Sequence, residues 1–185
     1  MFTSHLTIST AICAFILATV GARAEPLPSL GCYERVYDKA HLSAHKGQIV
    51  DKAWLSIETR KDTPPYPFSA TLQLSTTGRG KATFSTFGAC KADGGALLCN
   101  ASLSAEETDL CKAKNDGVRH CRISYVKSGA FRIAAQREGA LVTIVERLEM
   151  PGPDSGRRSS YLYLSPDNAE NHAFSLQPAD AKACK

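Results

Sequence analysis

Apolar and polar side chains alternate with a period of two through most of the chain beyond residue 45, the pattern of strands that bury one face and wet the other. The cleanest run is residues 68–75, where Phe68, Ala70, Leu72 and Leu74 alternate with Ser69, Thr71, Gln73 and Ser75. Residues 48–58 repeat it, with Ala53, Leu55 and Ile57 on one face and Trp54, Ser56 and Glu58 on the other. Two further strands, 81–90 and 96–99, flank Asp93-Gly94-Gly95. If both glycines occupy the centre of a primed two-residue turn, Asp93 faces Ala96 and Cys90 faces Cys99 at a non-hydrogen-bonded position, where Cα atoms approach to about 4.5 Å. That separation suits a disulfide.

The same reasoning predicts a meander of strands at 121–126, 130–136 and 141–148, turning at Ser128-Gly129 and Glu138-Gly139. Those turns place Ile123 opposite Ala134, Ile133 opposite Ile144 and Ala135 opposite Val142. Residues 151–158 hold two prolines and two glycines and predict an exposed loop; 160–164 and 173–176 predict closing strands, with a turn or helix start at Pro166-Asp167-Asn168. Residues 38–45 lack Gly, Pro and β-branched side chains and open on Asp38, a good N-cap, so they predict a two-turn helix. Ser104-Ala105-Glu106-Glu107 has capping-box spacing and predicts one more helical turn. The expected fold class is all-β: one antiparallel barrel or tight sandwich of seven to nine strands, with one short helix and three disulfides.

Residues 1–24 stand apart from that domain. They are apolar from Leu6 to Val20 and end in Ala22-Arg23-Ala24, the small-x-small pattern of a signal-peptidase site, so residues 25–185 form the expected mature domain. The apolar stretch falls short of the roughly 20 residues that span a bilayer as a helix. Cys13 leaves with this leader, and Cys32, Cys90, Cys99, Cys111, Cys121 and Cys184 remain, an even set behind an export signal. Such a set predicts disulfides formed in the periplasm or outside the cell. Of the 15 pairings six cysteines allow, nearness and register favour Cys90–Cys99 and Cys111–Cys121, which leaves Cys32–Cys184 by elimination.

A chain of 185 residues with net charge +4, evenly spread, is one ordinary domain and gives no basis for binding nucleic acid. His41 and His45 lie four apart on the predicted helix, with Asp38 one turn earlier, a spacing that suits a divalent metal. Leu42 stands where a zinc-hydrolase helix carries its glutamate base, and a solvated helix face is the simpler reading. His120 beside Cys121 lacks a free thiolate if that cysteine is bridged. Glu106, Glu107 and Asp109 form an acidic cluster, and Arg79, Lys81, Arg119, Arg157 and Arg158 sit on turns; both sets read first as solvated charge. Tyr33, Tyr37, Trp54, Tyr161 and Tyr163 are types favoured at recognition surfaces as well as in sheet packing. No Gly-x-Ser-x-Gly elbow, C-x-x-C pair or glycine-rich phosphate cradle occurs, and no cofactor is implied.

The segment Cys32-Tyr33-Glu34-Arg35-Val36-Tyr37-Asp38-Lys39-Ala40-His41-Leu42 resembles the opening of a group of small exported bacterial proteins of uncharacterised role, and Gly88-Ala89-Cys90 more loosely so. That resemblance implies export and assigns no catalytic residue. In size, export and hairpin pattern the chain is also similar to the disulfide-stapled β-barrels that inhibit lysozyme. Because the chain offers many rigid turns and no assembled nucleophile, base or closed metal set, the expected function is non-enzymatic binding or inhibition of an unidentified protein or small-molecule partner, with no membrane span in the mature chain. The alternatives are a metal-binding protein or metal-dependent enzyme using Asp38, His41 and His45, and a structural envelope component.

Overall fold

A computed structural model describes residues 26–60, 65–78, 82–102, 128–153 and 160–185. The strands are β1 (Gly31–Val36), β2 (Val50–Thr59), β3 (Phe68–Thr76), β4 (Thr83–Asp93), β5 (Ala96–Ser102), β6 (Ala130–Gln136), β7 (Gly139–Glu146), β8 (Leu148–Pro151), β9 (Tyr161–Leu164) and β10 (Ala173–Ala179). Eight of them close into an antiparallel barrel in the order β1-β10-β7-β6-β5-β4-β3-β2, while β8 and β9 pair only with each other. The one α-helix among the described residues, α1 (Lys39–Ala44), links β1 to β2 and marks one end of the barrel, hereafter the helix rim. Asp38 caps it, accepting from the His41 backbone N–H at 2.7 Å. At the opposite end, the staple rim, a 3-10 turn at Ala181–Cys184 follows β10.

Period-two alternation turns one face of every barrel strand inward. Leu55, Ile57, Leu72, Leu74, Phe84, Phe131, Ile133, Ile144 and Phe174 are all at most 1% exposed. An eight-stranded barrel has an interior just wide enough to be filled by such side chains. Lys52, Gln73 and Ser75 lie on the opposite face of β2 and β3, so apolar groups point in and polar groups out, the reverse of a lipid-facing barrel. No described helix is long and apolar enough to cross a membrane.

Inside, the row Ala70, Gly88 and Ala101 runs across β3, β4 and β5. Only small residues fit there. A β-carbon on Gly88 would lie 2.9 Å from both Cys99 Cβ and Phe131 Cζ. The Phe131 ring thus packs over a groove made by missing side chains, beside the Cys90–Cys99 disulfide, whose two cysteines are fully buried. Asp93 faces Ala96 and Cys90 faces Cys99, as the turn chemistry predicts: Gly94 and Gly95 take φ of 52° and 78°, which residues with a β-carbon rarely adopt. The second disulfide, Cys32–Cys184, spans 152 residues. Disulfides of this kind indicate an oxidising, non-cytoplasmic compartment. Cys111 and Cys121 lie outside the described residues, as do the leader, the strand expected at 121–126 and the Ser104–Glu107 helical turn.

The meander register departs from expectation. Both edges of β6 are taken, by β5 and β7, so Ala134 faces Ala96 and Leu141 and has no edge left for Ile123. The β6–β7 turn is Arg137-Glu138, one residue earlier than expected, and Ile133 therefore faces Val142 in place of Ile144, while Ala135 faces Ala140 in place of Val142. Partners move by two, so every side chain keeps its face. Gly139 serves close approach: a β-carbon there would collide with the Leu176 carbonyl oxygen on β10.

The expected strand 141–148 is also broken, at Arg147, and its end becomes β8. Pro151 lies in that strand, opposite Tyr161, instead of opening a loop; a two-stranded ribbon is all edge, which tolerates proline. The expected closing strand at 160–164 pairs with β8 outside the barrel. Leu148, Met150, Leu162 and Leu164 are buried in the common core, so the ribbon seals the helix rim, with Gly152 against the Phe84 ring.

Candidate functional site

Asp38, His41 and His45 come together as a capped helix end. The Asp38 carboxylate is engaged with the His41 N–H, and His41 Nε2 lies 2.9 Å from Gln48 Oε1. Because that oxygen only accepts, the geometry assigns the proton to His41 Nε2. The His41 and His45 rings stack with centroids 4.3 Å apart, and the Tyr37 ring is tilted against His41 with centroids 4.8 Å apart. Arg35 extends the column, with Cζ 5.3 Å from the Tyr37 ring centroid. Stacked rings and an engaged carboxylate make a packed column; among the described residues no three His, Cys, Asp or Glu side chains gather as a metal-ligand set. Burial pushes the Tyr37 phenol above its ordinary pKa, with the Arg35 charge opposing.

Nearby, Asn171 is fully buried and ties two loops together. Its Oδ1 accepts from Ile49 N–H at 2.9 Å and its Nδ2 donates to the Gly47 carbonyl at 2.8 Å. Nothing in the sequence singled it out, since a lone asparagine in a polar loop carries no pattern.

The aromatic residues divide between core and surface. Tyr33 is 4% exposed and faces inward. Trp54 stays on the outer sheet face beneath Lys52 Nζ, 4.5 Å from its ring, and Lys52 also meets Glu34 at 3.7 Å. Tyr163 is exposed on the β8–β9 ribbon under Arg147, and Tyr161 stands beside it with ring centroids 6.3 Å apart. Glu106, Glu107, Asp109, Arg119, His120, Arg79, Lys81, Arg157 and Arg158 lie outside the described residues.

A recess lies at the staple rim, beside residues 26–30. Residues 26–30 fold back against the barrel because the Tyr33 hydroxyl donates to the Ser29 carbonyl at 2.7 Å. Burial raises the Tyr33 pKa above its ordinary value. Between this segment, the Arg137-Glu138 turn and Pro178-Ala179 lies a hollow of about 510 Å³. Leu27 and Leu30, 38% and 52% exposed, supply its apolar side. Arg137 and Glu138, adjacent on the turn, supply one charge of each sign. A second hollow, about 200 Å³, lies across Cys32 and is bounded by Ser56, Glu58 and the C-terminal Ala181, Cys184 and Lys185. Prolines at 26 and 28 were the only available sequence signal, and they mark an extended segment without saying where it lies.

No protein-family model, no curated protein and no solved structure matches this chain.

Proposed function

We propose that the chain is an exported, non-enzymatic binding protein, acting in the periplasm or outside the cell, and that the hollow at the staple rim is its contact site. The observation that carries this reading is a recess of about 510 Å³, within the usual range of roughly 300–1,000 Å³ for ligand sites. It lies on a barrel whose interior is occupied by its own side chains. Its walls favour binding over chemistry. Two leucines offer apolar area, Arg137 and Glu138 can orient a partner, and the Tyr33 hydroxyl is already engaged with Ser29.

A photo-crosslinking residue at Leu30, compared with one at Gln73 on the outer face of β3, tests the assignment in periplasmic extract followed by mass spectrometry. Capture of a discrete species at Leu30 alone is the expected result. Capture confined to Gln73, or to a third probe at Tyr163 on the ribbon, would move the site elsewhere and sink this reading.

A further inference from the structure

We infer that Cys32–Cys184 is a thiol-addressable latch that holds the C-terminal turn over the staple rim, and that it opens in the folded protein while Cys90–Cys99 stays closed. The two disulfides differ in where they sit. Cys90 and Cys99 are fully buried inside the barrel, roofed by Phe131 and the small-residue row. Cys32 and Cys184 both line the solvent-open 200 Å³ hollow, and Cys184 is half-buried. Thiol–disulfide exchange requires an attacking thiolate to reach a sulfur, so access orders the two reactions.

The turn depends on this bond. Ala181–Cys184 buries no residue. Its own hydrogen bonds are short-range: the Asp180 side chain accepts from Lys182 N–H at 2.8 Å, and the Asp180 carbonyl accepts from Ala183 N–H at 2.8 Å. Both lie within the segment, and its contact with the barrel centres on Cys184, whose Sγ lies 3.4 Å from the Leu55 carbonyl oxygen and 3.9 Å from that of Tyr33. Cys32 also borders both hollows. Release of the turn therefore removes one wall of the smaller hollow and joins it to the larger around Cys32. This last consequence rests on the binding reading above; the latch itself does not.

The step balances with a dithiol as reductant. One thiolate of the dithiol attacks a sulfur of the Cys32–Cys184 bond, forming a mixed disulfide and expelling the other cysteine as a thiolate. The second thiol of the reagent then displaces the remaining cysteine. The dithiol leaves as a disulfide, and its two protons and two electrons end on Cys32 and Cys184 as thiols.

The test uses the full chain, folded, in dithiothreitol without denaturant, quenched with iodoacetamide and mapped by mass spectrometry. Alkylation of Cys32 and Cys184 roughly tenfold or more faster than of Cys90 and Cys99 is expected, because a sealed interior exchanges only through larger openings. Carboxypeptidase then trims the reduced chain past Cys184 while the oxidised chain resists, and the β-sheet circular dichroism spectrum is unchanged. Simultaneous alkylation of all four cysteines, or equal trimming of both forms, would overturn the latch. Crosslinking at Leu30 reports on the binding reading alone, so a failure there is not confused with a failure here.

Discussion

Gly88→Ala adds one methyl group to the tightest place in the barrel. Its φ is ordinary, so space alone excludes a side chain: the new carbon would lie 2.9 Å from Cys99 Cβ and from Phe131 Cζ, and 3.0 Å from Phe131 Cε1. Cys99 is fixed by its disulfide and Phe131 is fully buried, so neither can step aside into solvent. Overpacking of this kind costs about 1–3 kcal/mol, and the smaller conformational freedom of alanine in the unfolded chain returns about 0.4–1 kcal/mol. The net expectation is a loss of about 1–2 kcal/mol, or roughly 2–8 °C in Tm for a domain of this size. Phe131→Leu removes the two ring atoms that collide and leaves a cavity of its own. The added methyl then occupies part of that cavity, so the double variant should be more stable than the sum of the single losses by about 0.5–1 kcal/mol or more. Urea unfolding of the four proteins measures this. A neutral Gly88→Ala, or strict additivity with Phe131→Leu, refutes the packing argument.

Asn171→Ala removes two part-buried hydrogen bonds, one from the Ile49 N–H and one to the Gly47 carbonyl; at about 0.5–1.5 kcal/mol net per hydrogen bond, we expect a loss of about 1–3 kcal/mol and faster amide exchange at Ile49, and unchanged exchange there would contradict the tie. Tyr33 and Tyr37 have pKa values raised in the fold by burial, so folding favours their neutral forms. Their contribution to stability is complete below about pH 10, where unfolded phenols titrate, and is lost as pH rises from there through the folded values. Absorbance titration at 295 nm should show late-ionising tyrosines that revert to ordinary behaviour in Tyr33→Phe/Tyr37→Phe. Zinc titration of the wild type and of His41→Ala/His45→Ala should superimpose, because Asp38 caps the helix and His41 pairs with Gln48; a micromolar site lost in the variant would restore the metal reading.

The β4–β5 hairpin was legible because two adjacent glycines with positive φ dictate where the chain turns, and alternation then sets every opposing pair. The β6–β7 hairpin misled because Gly139 looks like a turn residue and acts as a spacer beneath Leu176. Arg137-Glu138 carries no chemical mark of a turn. Periodicity also told which faces of β6 and β9 are buried without naming their neighbours: the partner of β6 lies across residues 103–129, and β9 left the barrel for a ribbon. The staple-rim hollow had no pattern to find. It exists because one hydroxyl and one long-range disulfide hold a proline-rich segment against a wall assembled from distant strands.

Among the described strands, six of the barrel's pairings join sequence neighbours, and β7–β10 spans the ribbon insertion; the last, β1–β10, joins the first of these strands to the last through three residue pairs. Assembly from neighbouring hairpins is quick because little chain entropy is lost per contact, whereas this seam must wait for everything between. The expected order is therefore zippering around the ring, finishing at Cys32–Glu34 against Gln177–Ala179. A circular permutant that links β10 to β1 directly and opens between β2 and β3 would turn the slowest junction into a local one, and its refolding rate would report how much of the folding barrier belongs to closing the ring.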